Sequence, residues 1–328
     1  MGDPAGVGPE LCVRALTNPD VRQSCLPVVF GHFDVLQRVS QAINLALPVD
    51  LPLWDGDSAE SSGAAVVNCP VPAPEAISPG KISADCGAAA FGFIKTAIAS
   101  ALAGRIEAVA TAPIHKEALH LAGIEYPGHT EIFAALTGAK RTCMMLRSEV
   151  LTVSMVTTHI GYAEVPQAIS VQRILDVIEL TAEALASLNG RPARLAICGL
   201  NPHAGEHGLF GQREEEQFIE PAATQARARG IAIVGPLPPD TAFTTQSRKR
   251  FDGIVCLYHD QGHIPFKMLA FEDGVNLTLG SPIVRTSVDH GTAFDIAWKG
   301  VASATSFFKA IEAAVQLSAV RREKPVVA

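Results

Sequence analysis

Short aliphatic and β-branched runs alternate with longer helical stretches along most of this chain, and that alternation narrows its fold more than any other feature. Residues 27–31 read as a strand and 33–43 as a helix. Residues 83–104 read as a long helix capped by Ser83, with the small residues Gly87 to Ala90 allowing close packing. A buried strand is expected over 108–111, and further strands over 151–157, 194–198, 231–234 and 253–257. Helices over 170–188, 213–229 and 305–321 separate or follow them, while 48–80, rich in Pro, Gly and Ser, reads as loop with at most short strands. This order predicts an α/β protein whose helices cover a largely parallel sheet. At 328 residues the chain has room for about two domains. Weak boundaries fall near 126–128 and 271–274.

Apolar residues make up 48% of the chain and charged ones 18%, which supplies a core and excludes a disordered polymer. The 26 Lys and Arg against 33 Asp and Glu leave a net charge of −7. A general nucleic-acid binder would need an excess of cations, so only a local cationic pocket for a small anion stays open. Seven cysteines (Cys12, Cys25, Cys69, Cys86, Cys143, Cys198 and Cys256) are scattered without a C-x-x-C pair, which suits reduced thiols in a cytoplasmic protein. No apolar stretch reaches about 18 residues and the start lacks signal-peptide order, so a membrane span is not expected. The first residues form a glycine-rich turn with Pro9 placed for a helix's first turn; such a turn normally follows a strand, and none precedes Gly2.

Polar residues collect just after expected strands, the edge where open α/β sheets place ligands. Thr157-Thr158-His159 follows one, Gly199 to Glu206 with His203 the next, and Tyr258-His259-Asp260 a third. Three histidines on one sheet edge suit a divalent metal, although each singly is more often a hydrogen-bonded loop residue. Gly128-His129-Thr130-Glu131 opens a helix and reads either as a cap or as an anion site at a helix N-terminus. Lys267 and Arg285 sit in apolar surroundings and need a partner, either a phosphate or carboxylate substrate or an internal carboxylate. Asn276 lies between them. A Gly291-Thr292-Ala293 turn, flanked by Asp289-His290 and Asp295, either wraps an adenosine or is only a tight turn. No G-x-G-x-x-G follows a strand, and neither a P-loop nor a G-x-S-x-G elbow is present.

Six motifs occur in order: Gly2-Asp3-Pro4-Ala5-Gly6-Val7-Gly8-Pro9-Glu10, Thr111-Ala112-Pro113-Ile114-His115-Lys116-Glu117-Ala118-Leu119, Tyr126-Pro127-Gly128-His129-Thr130-Glu131, Gly199-Leu200-Asn201-Pro202-His203-Ala204-Gly205-Glu206, Tyr258-His259-Asp260-Gln261-Gly262 and Arg285-Thr286-Ser287-Val288-Asp289-His290-Gly291-Thr292-Ala293. Together they resemble the 4-hydroxythreonine-4-phosphate dehydrogenase family of vitamin B6 biosynthesis. His263-Ile264-Pro265-Phe266-Lys267 and Phe294-Asp295-Ile296-Ala297 look more like its second subgroup, which includes 4-phospho-D-threonate and 4-phospho-D-erythronate dehydrogenases.

The resemblance implies an isocitrate/isopropylmalate-dehydrogenase-like α/β fold of two domains around a central cleft. It divides the chain into 1–125 plus 271–328, with the cofactor loop, and 126–270, with metal ligands and dimer contacts. It further implies a cytoplasmic homodimer with the active site at the subunit interface, acting on a small phosphorylated hydroxy acid with no nucleic-acid or membrane partner. One divalent ion (Zn, Mg, Mn or Co) falls to His159, His203 and His259, the last from the partner subunit. Substrate contacts fall to His129, Thr130, Lys267, Asn276 and Arg285, and the adenosine end of NAD or NADP to His290, Gly291, Thr292, Ala293 and Asp295; Asp240 matches a further motif. The implied reaction is oxidation of a 3-hydroxy acid followed by decarboxylation of the β-keto acid. Competing readings are a relative that dehydrogenates a non-phosphorylated dihydrodiol carboxylate, a phosphate acyltransferase on the same broad fold, and a non-catalytic binding protein. Ser281 and Trp298 depart from the family, which usually has an apolar residue such as leucine, and glycine, at these places.

Overall fold

The computed structural model describes residues 1–55 and 63–323. The chain opens with α1 (Gly8–Thr17) and α2 (Pro19–Ser24), then β1 (Val28–Gly31), α3 (Phe33–Ala42), β2 (Ala65–Asn68), α4 (Ala84–Leu102), β3 (Ala108–Thr111), α5 (Lys116–Leu121) and α6 (His129–Thr137). It continues through β4 (Cys143–Arg147), β5 (Thr152–Met155), α7 (Val165–Ala168), α8 (Val171–Asn189), β6 (Arg194–Cys198), α9 (Glu220–Ala228) and β7 (Ala232–Leu237). It ends with α10 (Pro239–Ala242), α11 (Thr245–Arg250), β8 (Gly253–Cys256), α12 (His259–Leu269), β9 (Val275–Leu279), β10 (Val284–Val288) and α13 (Thr305–Glu323). Two compact units result, one of residues 1–139 with 282–322 and one of residues 140–281.

In the first unit β1 pairs in parallel with β2, and β3 in parallel with β10. Leu11, Leu16, Leu36, Val66, Phe93, Leu119 and Phe133 share its core. Ser83 caps α4 as expected, its hydroxyl accepting the Cys86 N–H at 3.2 Å. The sequence showed no membrane-length apolar run. By length and composition α4 nevertheless qualifies, because its many alanines count as apolar. Its Cys86, Ala89, Phe93, Ile94, Ala97 and Ile98 belong to the unit's core. Gly87 allows α4 to lie against α5: a side chain there would run into the Ala118 carbonyl.

The second unit is built on the strand order β9-β4-β5-β8-β6-β7. The pairs β5–β8, β8–β6 and β6–β7 are parallel, as alternation with helices predicts. β4 departs from the expectation, running antiparallel to both β5 and β9. The cause is the short connection from β4 to β5. Ser148 there donates its backbone N–H to the Leu151 carbonyl and accepts the Val150 and Leu151 N–H groups on its hydroxyl, which closes a hairpin. Ser170 caps α8 and the left-handed Gly190 (φ 66°) ends it. Met145, Val153, Met155, Ile178, Leu195, Ile197 and Val255 are fully buried here.

Candidate functional site

Because β5, β8 and β6 are parallel neighbours, their C-terminal ends share one edge of the sheet. His159 follows β5, His259 opens α12 after β8, and His203 follows β6. The expected trio thus sits on three adjacent strand ends. The rings of His159 and His259 lie 5.9 Å apart, centroid to centroid, beside a pocket of about 250 Å³ that Tyr162 and Tyr258 also line. His259 Nδ1 is 2.7 Å from Asp260 Oδ1, and Tyr162 donates its hydroxyl to Asp260 Oδ2 at 2.6 Å. This chain of contacts fixes the His259 ring and leaves Nε2 for another partner, the usual arrangement of a metal-ligating imidazole. His203 is exposed in the loop after β6, its ring 6.0 Å from that of Phe210. Among the described residues no three His, Cys, Asp or Glu side chains of one chain gather into a metal site. The donor chemistry of the three imidazoles fits a divalent cation.

α12 repeats its chemistry every four residues. His263 stacks on His259 at 3.6 Å and 8°, and Lys267 follows one turn on, 5.3 Å from the Phe271 ring centroid. Asn276, on β9, has its side-chain oxygen buried without a hydrogen-bond partner.

The other candidates belong to the first unit. Arg285, on β10, is 2% exposed; its Nε and Nη2 donate to Thr111 Oγ1 at 3.2 and 2.7 Å, and its guanidinium lies 5.5 Å from the Phe133 ring. Burial pulls its pKa down to about 9, and the nearby Glu131 works against that fall. His129 and Thr130 start α6, whose free N–H groups favour an anion. His129 Nε2 is buried without a hydrogen-bond partner. Burial first, and the Arg285 cation second, hold its imidazole well below the ordinary histidine range, so it is neutral at pH 7. The internal-carboxylate reading of Arg285 is partly realised in Glu131. A buried cation beside a neutral imidazole and a helix start is also the surrounding an incoming phosphate needs.

The loop after β10 carries His290, Gly291, Thr292, Ala293 and Asp295. His290, Gly291 and Asp295 are exposed; Thr292 is buried, its carbonyl accepting the Val7 N–H at 3.0 Å. Phe294 stacks on His115 at 4.7 Å, and Trp298 donates its indole N–H to the Pro4 carbonyl at 3.1 Å. The glycine-rich start thus forms the floor of this loop. Asp3 lies in that start, fully buried, one oxygen accepting the Ala5 N–H and the other without a partner. Burial lifts its pKa to about 6, against the opposing pull of the Ala5 N–H and His115. Asp240 is exposed on α10.

Sequence reading missed Thr111, Tyr162, Asp260 and His263 as working residues. His263 had a visible signal, the four-residue spacing from His259 on one helix face, and Asp260 stands next to His259 in sequence; Thr111 and Tyr162 are set by tertiary contacts.

The family model described as pyridoxal phosphate biosynthetic protein PdxA matches residues 23–314. The D-threonate 4-phosphate dehydrogenase of Salmonella typhimurium is 44% identical over 321 residues, covering 97% of each chain. The 4-hydroxythreonine-4-phosphate dehydrogenase of Desulfosudis oleivorans is 44% identical over 327 residues, 99% of this chain and 96% of the relative. A crystal structure of 4-hydroxythreonine-4-phosphate dehydrogenase from Klebsiella pneumoniae superposes with a TM-score of 0.83 at 42% identity, over 97% of this chain and 96% of that one.

Proposed function

This chain belongs to the PdxA family of pyridoxal phosphate biosynthetic proteins, and from that membership we propose that it is an NAD- or NADP-linked dehydrogenase of a 4-phosphorylated 3-hydroxy acid. The substrate class is 4-phosphooxy-L-threonine or the corresponding 4-phospho-D-threonate or erythronate, and the resulting β-keto acid loses carbon dioxide. The observation that carries the phosphate assignment is Arg285, buried beside the neutral His129 at the start of α6. A phosphate group brought there accepts the guanidinium's fork and the helix N–H groups, and it offsets the desolvation that depresses both side chains. Thr130 belongs to the same helix turn, and Lys267 and Asn276 complete the proposed substrate contacts.

His159, His203 and His259 would hold one divalent ion, with Asp260 and Tyr162 fixing the His259 ring. When bound, the ion would acidify the substrate hydroxyl and the nicotinamide would take up the hydride. We assign the adenosine end of the cofactor to His290, Gly291, Thr292, Ala293 and Asp295, and keep Asp240 as a further site residue. The working form is a cytoplasmic homodimer with its active site at the subunit interface. Seven free cysteines support the reducing setting, and the exposed Ile264 and Met268 on the helix that opens with His259 support a shared site.

The deciding experiment measures nicotinamide reduction with phosphorylated and unphosphorylated hydroxy acids. Arg285→Ala is expected to raise KM for the phosphorylated substrate at least tenfold, because a charge-assisted contact is lost. An unchanged KM would place the phosphate elsewhere.

A further inference from the structure

The loop that carries His203 has a backbone that should not hold itself together. His203, Ala204, Gly205, Glu206 and His207 are consecutively left-handed, with φ of 53, 54, 77, 44 and 55°. Four of the five are not glycine, and L-residues avoid this conformation. Such a run persists only where its surroundings over-determine it. What lies inside the loop is a carboxylate. Glu215, 1% exposed, accepts the N–H of Leu200 at 2.9 Å and of Asn201 at 2.8 Å on Oε1, and the Asn201 amide at 3.0 Å on Oε2. Gly205 is packed so tightly over it that a Cβ there would stand 2.5 Å from Oε2. Glu214 closes the far end, accepting the Gln212 N–H at 2.7 Å and sharing the Asn201 amide at 2.9 Å. Both carboxylates project from a π turn (Glu215–Ile219) and its N-cap, where the expected 213–229 helix is distorted. The loop is therefore wound around Glu215, with His203 displayed on its outer side.

We propose that Glu215 is a positioning residue for His203, setting where its imidazole stands for metal binding. This rests on the reading of His203 as a ligand. A carboxylate that merely filled space would leave metal affinity alone when replaced. One that sets the ring's place would change affinity and ligand field together, as outer-shell contacts to metal-binding residues do.

The test uses the full-length protein stripped with chelator, Zn²⁺ titrated by calorimetry and Co²⁺ by its visible absorption. Glu215→Ala is expected to weaken Zn²⁺ binding about 10- to 100-fold and to alter the Co²⁺ spectrum. Glu215→Gln, which keeps an acceptor for the Leu200 and Asn201 N–H groups, should stay within about fivefold of the parent. Glu215→Asp keeps the charge but withdraws it by one methylene. It is expected to lose at least about fivefold and carries the test if the alanine variant does not fold. His203→Ala is run alongside. Parent-like metal binding by His203→Ala overturns the ligand reading itself. Loss in His203→Ala with parent-like affinity and spectrum in Glu215→Ala or Glu215→Asp overturns the positioning role alone.

Discussion

Trp298 occupies a backbone conformation made for glycine, with φ of 63°. The indole repays that strain through burial, through its hydrogen bond to the Pro4 carbonyl and through Arg38, whose guanidinium lies 5.0 Å from the ring centroid. Trp298→Gly would relieve about 1 kcal/mol of left-handed strain and forfeit a buried aromatic side chain usually worth about 3–5 kcal/mol. A net loss of about 2–4 kcal/mol in urea unfolding is expected. Asp3 makes a second prediction at this scale. Its folded pKa is about 6 against the ordinary aspartate value of 3.8, so between these pH values the folded state binds the extra proton. Stability conferred below pH 4 is therefore lost as pH rises through 6, by about 3 kcal/mol at 1.36 kcal/mol per unit. Asp3→Asn should flatten that segment of the stability–pH curve; a curve of unchanged slope would show that Asp3 titrates normally.

At the scale of elements, the α4–α5 contact is the sharpest case of a sequence feature dictating packing. Gly87 faces the Ala118 carbonyl, which as backbone gives way poorly. Gly87→Ala is expected to destabilise the protein by about 1–3 kcal/mol despite alanine's better helix propensity, and an unchanged melting temperature would refute the close approach. That contact was legible in advance because a run of small residues on a long helix has few other uses. The Ser83 cap and the parallel strands β5, β6 and β8 were legible for a like reason: local chemistry specifies each. β4 and β9 were not. Cys143-Met144-Met145-Leu146 has no β-branched residue, and although its hairpin with β5 is local, its other partner, β9, lies more than 120 residues on, so that pairing leaves no local trace. β10 was hidden by composition, since it buries Arg285, Thr286 and Ser287, residues that ordinarily mark a surface. The site divides the same way. The placement of the three histidines after strands was visible in the sequence, whereas Glu215 and Thr111 act through contacts with segments distant in the chain, and Asp260, although next to His259, is held by Tyr162 from 98 residues away.

At the scale of the whole molecule, the proposed ligand set can be tested for sharing between two copies of the chain. α12 begins with His259 and exposes Ile264 (56%) and Met268 (81%), with Phe271 (66%) just beyond its end. A run of large apolar side chains on the element that carries a proposed ligand suits contact with a second copy of the chain. If that copy supplies His259 to a site holding His203, two dead proteins can repair each other. His203→Ala and His259→Ala should each be nearly inactive as homodimers. In a mixed dimer one site carries both lesions and the other carries neither. Random reassortment after mild unfolding and refolding then makes half the dimers mixed, with one good site in two, so about a quarter of the parental activity should return. Ligands drawn from a single chain would give none back, because every chain in the mixture carries a lesion. Treating the repaired mixture with chelator should abolish the recovered activity and an added divalent ion restore it, which ties the recovery to the metal rather than to refolding alone.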